Sequence, residues 1–373
     1  MHDRRSDAST DRSSTPEAPA ALAWWRTTGA VALVAVLALG IVGCGQKGGG
    51  GGGGGEGDGG EGGGDGPKVG LVTDLGGLND RSFNALANKG LEQAEGELGA
   101  AGTVLESKSA ADYEKNLGQL AQQQLDLTVG VGFLMADPIK NVSAKATENN
   151  FAIIDYSVED LGNPKNVRGL IFKEQEAGYL AGALAGMVEA EGKLKGLNGA
   201  KVVSVVGGQK IPPVDKYIAG FTAGVERECK DCEVIVDYSQ DFIDQSKCQD
   251  RANSQISKGS DIIFQVAGGC GLGALDAAKT KGVWGIGVDA DQAYLGSHIL
   301  TSAVKKVDVA VFDTIKSIAD GAFQGGSNGT YGLAEDGVGL GEIAPAASAY
   351  EAKLATVIEE IKGGKVEIPE TVK

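Results

Sequence analysis

Asp289 ends an apolar run, Val283 to Val288, and a second apolar run, Asp261 to Ala267, ends in a glycine-dense turn, Gly268 to Gly273. A carboxylate placed there can accept hydrogen bonds from two neighbouring hydroxyls on a ligand. A further cluster, DLGGLNDRSFN at residues 74–84, gathers Asp74, Asn79, Asp80, Ser82, Phe83 and Asn84 behind the run Lys68 to Thr73. Asn and Asp side chains match donors and acceptors on the edge of a polar ring, and Phe83 offers a face for stacking. The same residues also suit an ordinary turn with an Asn or Asp helix cap. Phe221, in YIAGFTAG, reads either as a core residue of an amphipathic helix or as a second face opposing Phe83. This is recognition chemistry.

Catalytic patterns are missing. The histidines are His2 and His298, and there is no GxSxG, HExxH or P-loop lysine motif. Carboxylates are abundant, but nothing selects an acid/base pair. Gly271, Gly273 and Asp276, with Asp289 and Asp291 further on, imitate a dinucleotide fingerprint. The third glycine is absent, however, and the motif lies late in the chain. Cys229, Cys232, Cys248 and Cys270 lack the second close pair of a zinc ribbon. Neither cofactor nor metal is expected.

The elements that must position these residues alternate. Strand-like runs at Lys68–Thr73, Thr103–Ser107, Leu127–Gly132, Phe151–Asp155 and Val167–Phe172 are separated by helical stretches. A second cycle follows, with strands at Lys201–Val206, Glu233–Tyr238, Asp261–Ala267 and Val283–Val288. Continuously apolar strands joined by helices define α/β lobes with open, doubly wound parallel sheets. Loops leaving the carboxyl ends of such strands line the ligand crevice, so Asp289, the glycine turn and residues 74–84 should share a cleft. Two lobes in one chain suggest a hinged clamp, with crossovers near Phe172–Lys173 and Ser302–Lys305.

With 373 residues the chain can bury two domains, and its net charge of −16 argues against nucleic acid or an anionic membrane surface as partner. Its start reads as an export leader. Arg4, Arg5, Arg12 and Arg26 precede an apolar run of 13 residues, Ala30 to Val42, short of the roughly 20 a spanning helix needs. The sequence Ile41-Val42-Gly43-Cys44 resembles a bacterial lipobox, which makes Cys44 the expected lipidation site. Residues 45–66 are nearly all glycine with Glu and Asp, a flexible tether with a reach of roughly 25 Å. The chain thus divides into a leader at 1–43 and a lipidated Cys44 with its linker at 44–66. The first lobe takes 67–172 with about 306–324, and the second takes 173–305 with about 325–373.

Outside the cytoplasm cysteines favour disulfides. Four cysteines allow three pairings, and geometry favours one of them. Cys248 opens the helix Ser246–Lys258, which turns at Gly259 into the strand Asp261–Ala267. Helix and strand then run antiparallel, about 15 Å against about 20 Å, which sets Cys248 beside Cys270 and leaves Cys229 and Cys232 as a local pair.

DLGGLNDRSFN, GFLMAD, LIFKEQEAGYLAGALAG, FQVAGGCGLG, GIGVDADQ and LTSAVKKVDVAV together resemble the basic membrane protein family. These are purine nucleoside receptor A-like substrate-binding lipoproteins of ABC transporters. The resemblance runs in order from residue 68 to about 345 and implies a type I periplasmic-binding-protein fold. It implies that Phe83 and Phe221 sandwich a purine, and that Asn79, Asp80 and Asp137 address its edge. Gly268 and Gly269 would offer backbone groups near a ribose whose hydroxyls Asp289 and Lys305 hold. Position 79 is Asn where an acidic residue is common, and Cys270 interrupts the glycine turn. The expected protein is a monomeric, lipid-anchored receptor on the outer face of the cytoplasmic membrane. It passes a purine nucleoside to the permease and ATPase of an importer and performs no reaction. The rival readings are a surface lipoprotein that senses a nucleoside or sugar, and a nucleoside- or sugar-processing hydrolase or dehydrogenase.

Overall fold

The structure, a computed structural model, describes residues 66–372. The leader, Cys44 and nearly all of the glycine-rich linker lie outside the described residues.

The first cycle folds as β1 (Lys68–Val72), α1 (Phe83–Leu98), β2 (Ala101–Leu105), α2 (Asp112–Ala121), β3 (Leu127–Gly130), α3 (Ala136–Ser143), β4 (Phe151–Ile154) and β5 (Val167–Phe172). The second comprises α4 (Glu174–Glu191), β6 (Val202–Gly207), α5 (Pro212–Glu228), β7 (Glu233–Tyr238), α6 (Gln245–Ser257), β8 (Ser260–Val266), α7 (Gly268–Lys281), β9 (Trp284–Asp289) and β10 (Ile299–Lys305). The chain closes with α8 (Val307–Ala319), β11 (Ser327–Tyr331), β12 (Val338–Leu340) and α9 (Glu351–Lys362).

Two six-stranded sheets result, ordered β11-β5-β4-β3-β1-β2 and β12-β10-β9-β8-β6-β7. Among the described residues every strand pair is parallel except β10 with β12. Strands β3, β4, β6, β8 and β9 are buried along their whole length, which is why they read as unbroken apolar runs. The architecture is a pair of doubly wound α/β lobes, as the alternating strands and helices imply, and it agrees with the type I fold that the family resemblance implies.

α4 is buried almost throughout, and its glycines are what let α5 approach. A methyl group at Gly178 or Gly182 would strike the backbone carbonyl of Tyr217 or Phe221, and one at Gly220 that of Gln175. Filling such a contact overpacks the interface, at a cost of about 1–3 kcal/mol. α8 returns to pack on α1, where Gly90 makes room for the backbone of Asp308 and Lys89 pairs with the Asp308 carboxylate at 2.6 Å.

Two details differ from the sequence pattern. Residues 325–373 do not all join the second sheet, because β11 pairs with β5 in the first. This edge strand, SNGTY, has no apolar run to betray it. The chain therefore passes between the sheets a third time, between Tyr331 and Val338. The three passages are tied together, Lys173 N donating to Tyr331 O at 3.0 Å and Lys306 N to Gly337 O at 2.9 Å. Gly268–Gly273 is no turn but the first half of α7. Side chains are excluded there because α7 lies against Gln265 and the backbone of Gln245.

Candidate ligand-binding cleft

Strand ends of both sheets meet at one cleft. It holds a cavity of about 70 Å³ open to the centres of water molecules, enough for several, with walls from both lobes. The lobes touch closely here, since a methyl group on Gly269 would lie 3.7 Å from Asp80 Cα.

Aromatic rings line it. Phe83, the first residue of α1, and Phe242, from the loop between β7 and α6, enter the cavity from different lobes. Asp80 fixes the Phe83 turn from behind. Its Oδ1 accepts from the amides of Ser82 and Ala85 at 3.0 and 3.1 Å, its Oδ2 from the amide and side chain of Asn84 at 2.7 and 3.0 Å. Both oxygens are spent on the unpaired donors of the α1 start, so Asp80 acts here as a helix cap. The loop that carries Phe242 is fixed in turn by the start of α7, with Cys270 N donating to Phe242 O at 3.0 Å. Gly268, with φ of +55°, and Gly269 line the cavity as the first residues of that helix, whose leading amides have no partner within it.

Asp74 borders the same space. Its Oδ1 accepts from Leu75 N at 2.7 Å and from the Tyr113 hydroxyl. Its Oδ2 lies next to Gly132, where an added methyl group would come within 2.8 Å. Burial pushes the Asp74 carboxyl up to about 6, against the hydrogen bonds from Tyr113 and Leu75.

An acidic cluster around one lysine adjoins Phe83. Lys305 Nζ lies 2.6 and 2.7 Å from the two oxygens of Asp155 and 3.0 Å from Glu174 Oε1. The ammonium also sits 5.0 Å from the Phe83 ring centre and 4.9 Å from that of Phe172, a cation–π position on each. Asp289 accepts from Ser82 Oγ at 2.9 Å and from the Tyr217 hydroxyl at 3.3 Å. Burial raises the carboxyls of Asp155, Glu174 and Asp289, with Lys305 opposing it in each case. Burial also works against the Lys305 ammonium, but these three carboxylates outweigh it and raise its titration.

The cavity therefore unites Asp74, Asp80, Phe83, Asn84, Gly268, Gly269, Asp289 and Lys305, all expected from the sequence. Three expected residues are not part of it. Phe221 is fully buried against Phe264, ring centres 5.0 Å apart, because it faces the sheet from α5. Asn79 is exposed and borders a separate surface depression with Arg81 and His298. Asp137 is exposed in the first turn of α3. Phe242, Asp155, Glu174 and Tyr217 were not singled out from the sequence. Asp155 carried a usable signal. Like Asp289 it closes an apolar run, FAIID against GIGVD, and both take left-handed backbone angles, φ of +68° and +60°.

Cys248 and Cys270 lie at disulfide distance with Cα atoms 5.6 Å apart, and Cys229 and Cys232 likewise at 5.4 Å. Both pairs are those expected from sequence.

Two wound lobes closing on a polar and aromatic cavity describe a solute-binding protein. Residues 68–372 match the family model described as ABC transporter substrate-binding protein PnrA-like, and the chain belongs to that family. It is 37% identical to a CD4+ T-cell-stimulating antigen of Listeria monocytogenes, covering 81% of this chain and 88% of that one. It is 33% identical to the ABC transporter nucleoside-binding protein BmpA of Lactococcus lactis, over 81% of this chain and 89% of the relative. Among solved structures, an ABC transporter solute-binding protein of Aeropyrum pernix superposes with a TM-score of 0.75 at 26% identity, over 82% of this chain and 94% of that one. The family and this structural relative are solute-binding proteins, not enzymes.

Proposed function

We propose that the protein captures a purine nucleoside between its lobes and presents it to the permease of an ABC importer, anchored outside the membrane by lipid on Cys44. The observation that carries this reading is one cavity lined by both Phe83 and Phe242, from different lobes, together with polar side chains whose acceptors outnumber their donors. Two aromatic faces suit a flat heterocycle. Asp74 and Asn84 address its edge, Asp289 and Asp155 accept from the ribose hydroxyls, and Lys305 donates to them. The amides at Gly268 and Gly269 supply further donors.

Charge excludes nucleotides on this reading. A phosphate about 5 Å from one such carboxylate would pay ~3 kcal/mol at an effective dielectric of 20, and several carboxylates face the cavity. A neutral nucleoside escapes that penalty. The name of the L. lactis relative and the lipobox-like Ile41-Val42-Gly43-Cys44 support the receptor and its anchor.

Titration calorimetry with the purified protein tests the reading. Inosine, guanosine or adenosine should bind at least roughly a hundredfold more tightly than ribose, about 2.7 kcal/mol, and guanosine monophosphate should bind weakly. Equal affinity for ribose would make this a sugar receptor and remove the role given to the aromatic pair.

A further inference from the structure

Asp155, Glu174 and Asp289 crowd around one buried ammonium, that of Lys305. Three carboxylates against one cation leave two negative charges unbalanced. Glu174 spends Oε1 on Lys305, while its Oε2 has no hydrogen-bond partner among the described residues and stands 3.9 Å from Lys216 Nζ. Lys216 lies in the second turn of α5, with its side chain 22% exposed. On its outer side the ammonium meets Glu370 Oε2 at 3.6 Å, and Glu370 Oε1 accepts from Gln175 Nε2 at 3.2 Å. Glu370 arrives there because the segment after α9 packs Val366, Ile368 and Val372 onto the core. A continuous line of charge, Glu370–Lys216–Glu174–Lys305, thus joins the end of the chain to the cleft.

We propose that Lys216, braced by Glu370, is the second cation of the ligand site, a positioning residue that acts through Glu174 to keep the cleft carboxylates ionised. The proposal rests on the nucleoside reading of the cavity. The charged and titratable groups around Glu174 are Lys305 from β10, Asp155 at the end of β4, Asp289 at the end of β9, and Lys216 and Tyr217 from α5. Glu370 stands behind Lys216. Burial keeps the Tyr217 hydroxyl neutral by raising its titration well above the usual range. Lys216 and Lys305 are therefore the cations that hold the raised carboxyls of Glu174 and Asp155 down. Without Lys216 these carboxyls take up protons at higher pH, Lys305 loses its fixed partners, and the ligand's hydroxyls lose ionised acceptors.

The experiment measures inosine affinity and the melting temperature of the ligand-free protein from pH 5 to 8. Wild type is compared with Lys216→Met, Lys216→Arg and Glu370→Gln. Asp74 titrates alike in all four, so differences from wild type isolate the Lys216 contribution. In Lys216→Met the acid loss of affinity should begin about one pH unit higher, a tenfold change in proton affinity. Its melting deficit should widen from pH 5 to pH 8, because the missing ion pair matters only once the carboxyls ionise. Lys216→Arg should restore both profiles. Glu370→Gln, altered at a side chain that is 57% exposed, should shift them the same way by less. A pH-independent melting deficit with an unmoved acid limb would overturn the proposal and leave Lys216 a packing residue. If wild type ignores inosine, the nucleoside reading fails, while the melting profiles still decide the role of Lys216.

Discussion

Ser82 and Asp289 join the lobes directly, the Ser82 hydroxyl standing 2.9 Å from Asp289 Oδ2 across 207 positions of sequence. The carboxylate proposed to hold the ribose is therefore also a clasp of the closed cleft. Asp289→Ala would leave the buried ligand hydroxyls without their acceptor, costing ~1–3 kcal/mol or more. Calorimetry should show affinity falling at least roughly tenfold. Ser82→Ala keeps the acceptor but loosens the clasp, so it should raise the dissociation rate with a smaller change in affinity. Unchanged binding in Asp289→Ala would remove Asp289 from the site.

Phe242 and Phe221 give a paired test of which ring meets the base. Phe242→Ala should cost ~1–3 kcal/mol of nucleoside binding, the usual worth of one aromatic stacking contact. Phe221→Leu, in the core against Phe264, should lower the melting temperature and leave affinity near wild type. The opposite pattern would give Phe221 the stacking role that the family resemblance implies.

Non-reducing peptide mapping should recover the fragments with Cys248 and Cys270 as one linked species. The bond closes a loop of 22 residues, which corresponds to roughly 3 kcal/mol of stability in a chain-entropy account. Cys248→Ser with Cys270→Ala should therefore lower the melting temperature by several degrees. Because Cys270 N holds Phe242 O, nucleoside affinity should fall as well. Cys248 linked to Cys229 or Cys232 would contradict the placement of α6 beside β8.

Glu189 and Asp261 are buried together far along α4 and at the start of β8, each with an oxygen that lacks a hydrogen-bond partner among the described residues. Burial and the neighbouring Asp261 push the Glu189 carboxyl up to about 9. The folded state then keeps a proton that the unfolded state releases above the ordinary glutamate range. Stability should decline as pH rises from about 5 toward 9, and Glu189→Gln should flatten that slope. Parallel slopes in wild type and variant, measured by urea unfolding, would show that the pair does not share a proton.

The strands and the cleft were legible for one reason: parallel strands covered on both faces must be apolar throughout, and their ends then mark the site. Asp289, Asp74 and Phe83 follow from that rule. Phe242 does not, because it hangs in a loop whose sequence, SQDFID, fits any turn. For Phe221 the helix left two readings open, a core ring and a face opposing Phe83, and it lies in the core. Helical spacing says which residues share a face but not whether that face meets a sheet or a ligand. β11 escaped notice because an edge strand of polar and glycine residues has no periodicity to find. Glu174 and Lys216 were invisible as a pair, since only the folding of α4 against α5 brings their charges together.

The crossing of β11 back to the first sheet also sets an order in time. The first lobe opens the folded body, yet α8 and the edge strand Ser327–Tyr331 are made only after every strand from β6 to β10. Domains ordinarily fold as they leave the ribosome, amino-terminal part first. The first lobe thus waits for Tyr331 and the second for β12 beyond it, so no complete lobe exists until nearly the whole chain has been synthesised. For a polypeptide proposed to cross a membrane before it folds, that delay keeps the thread loose during its passage.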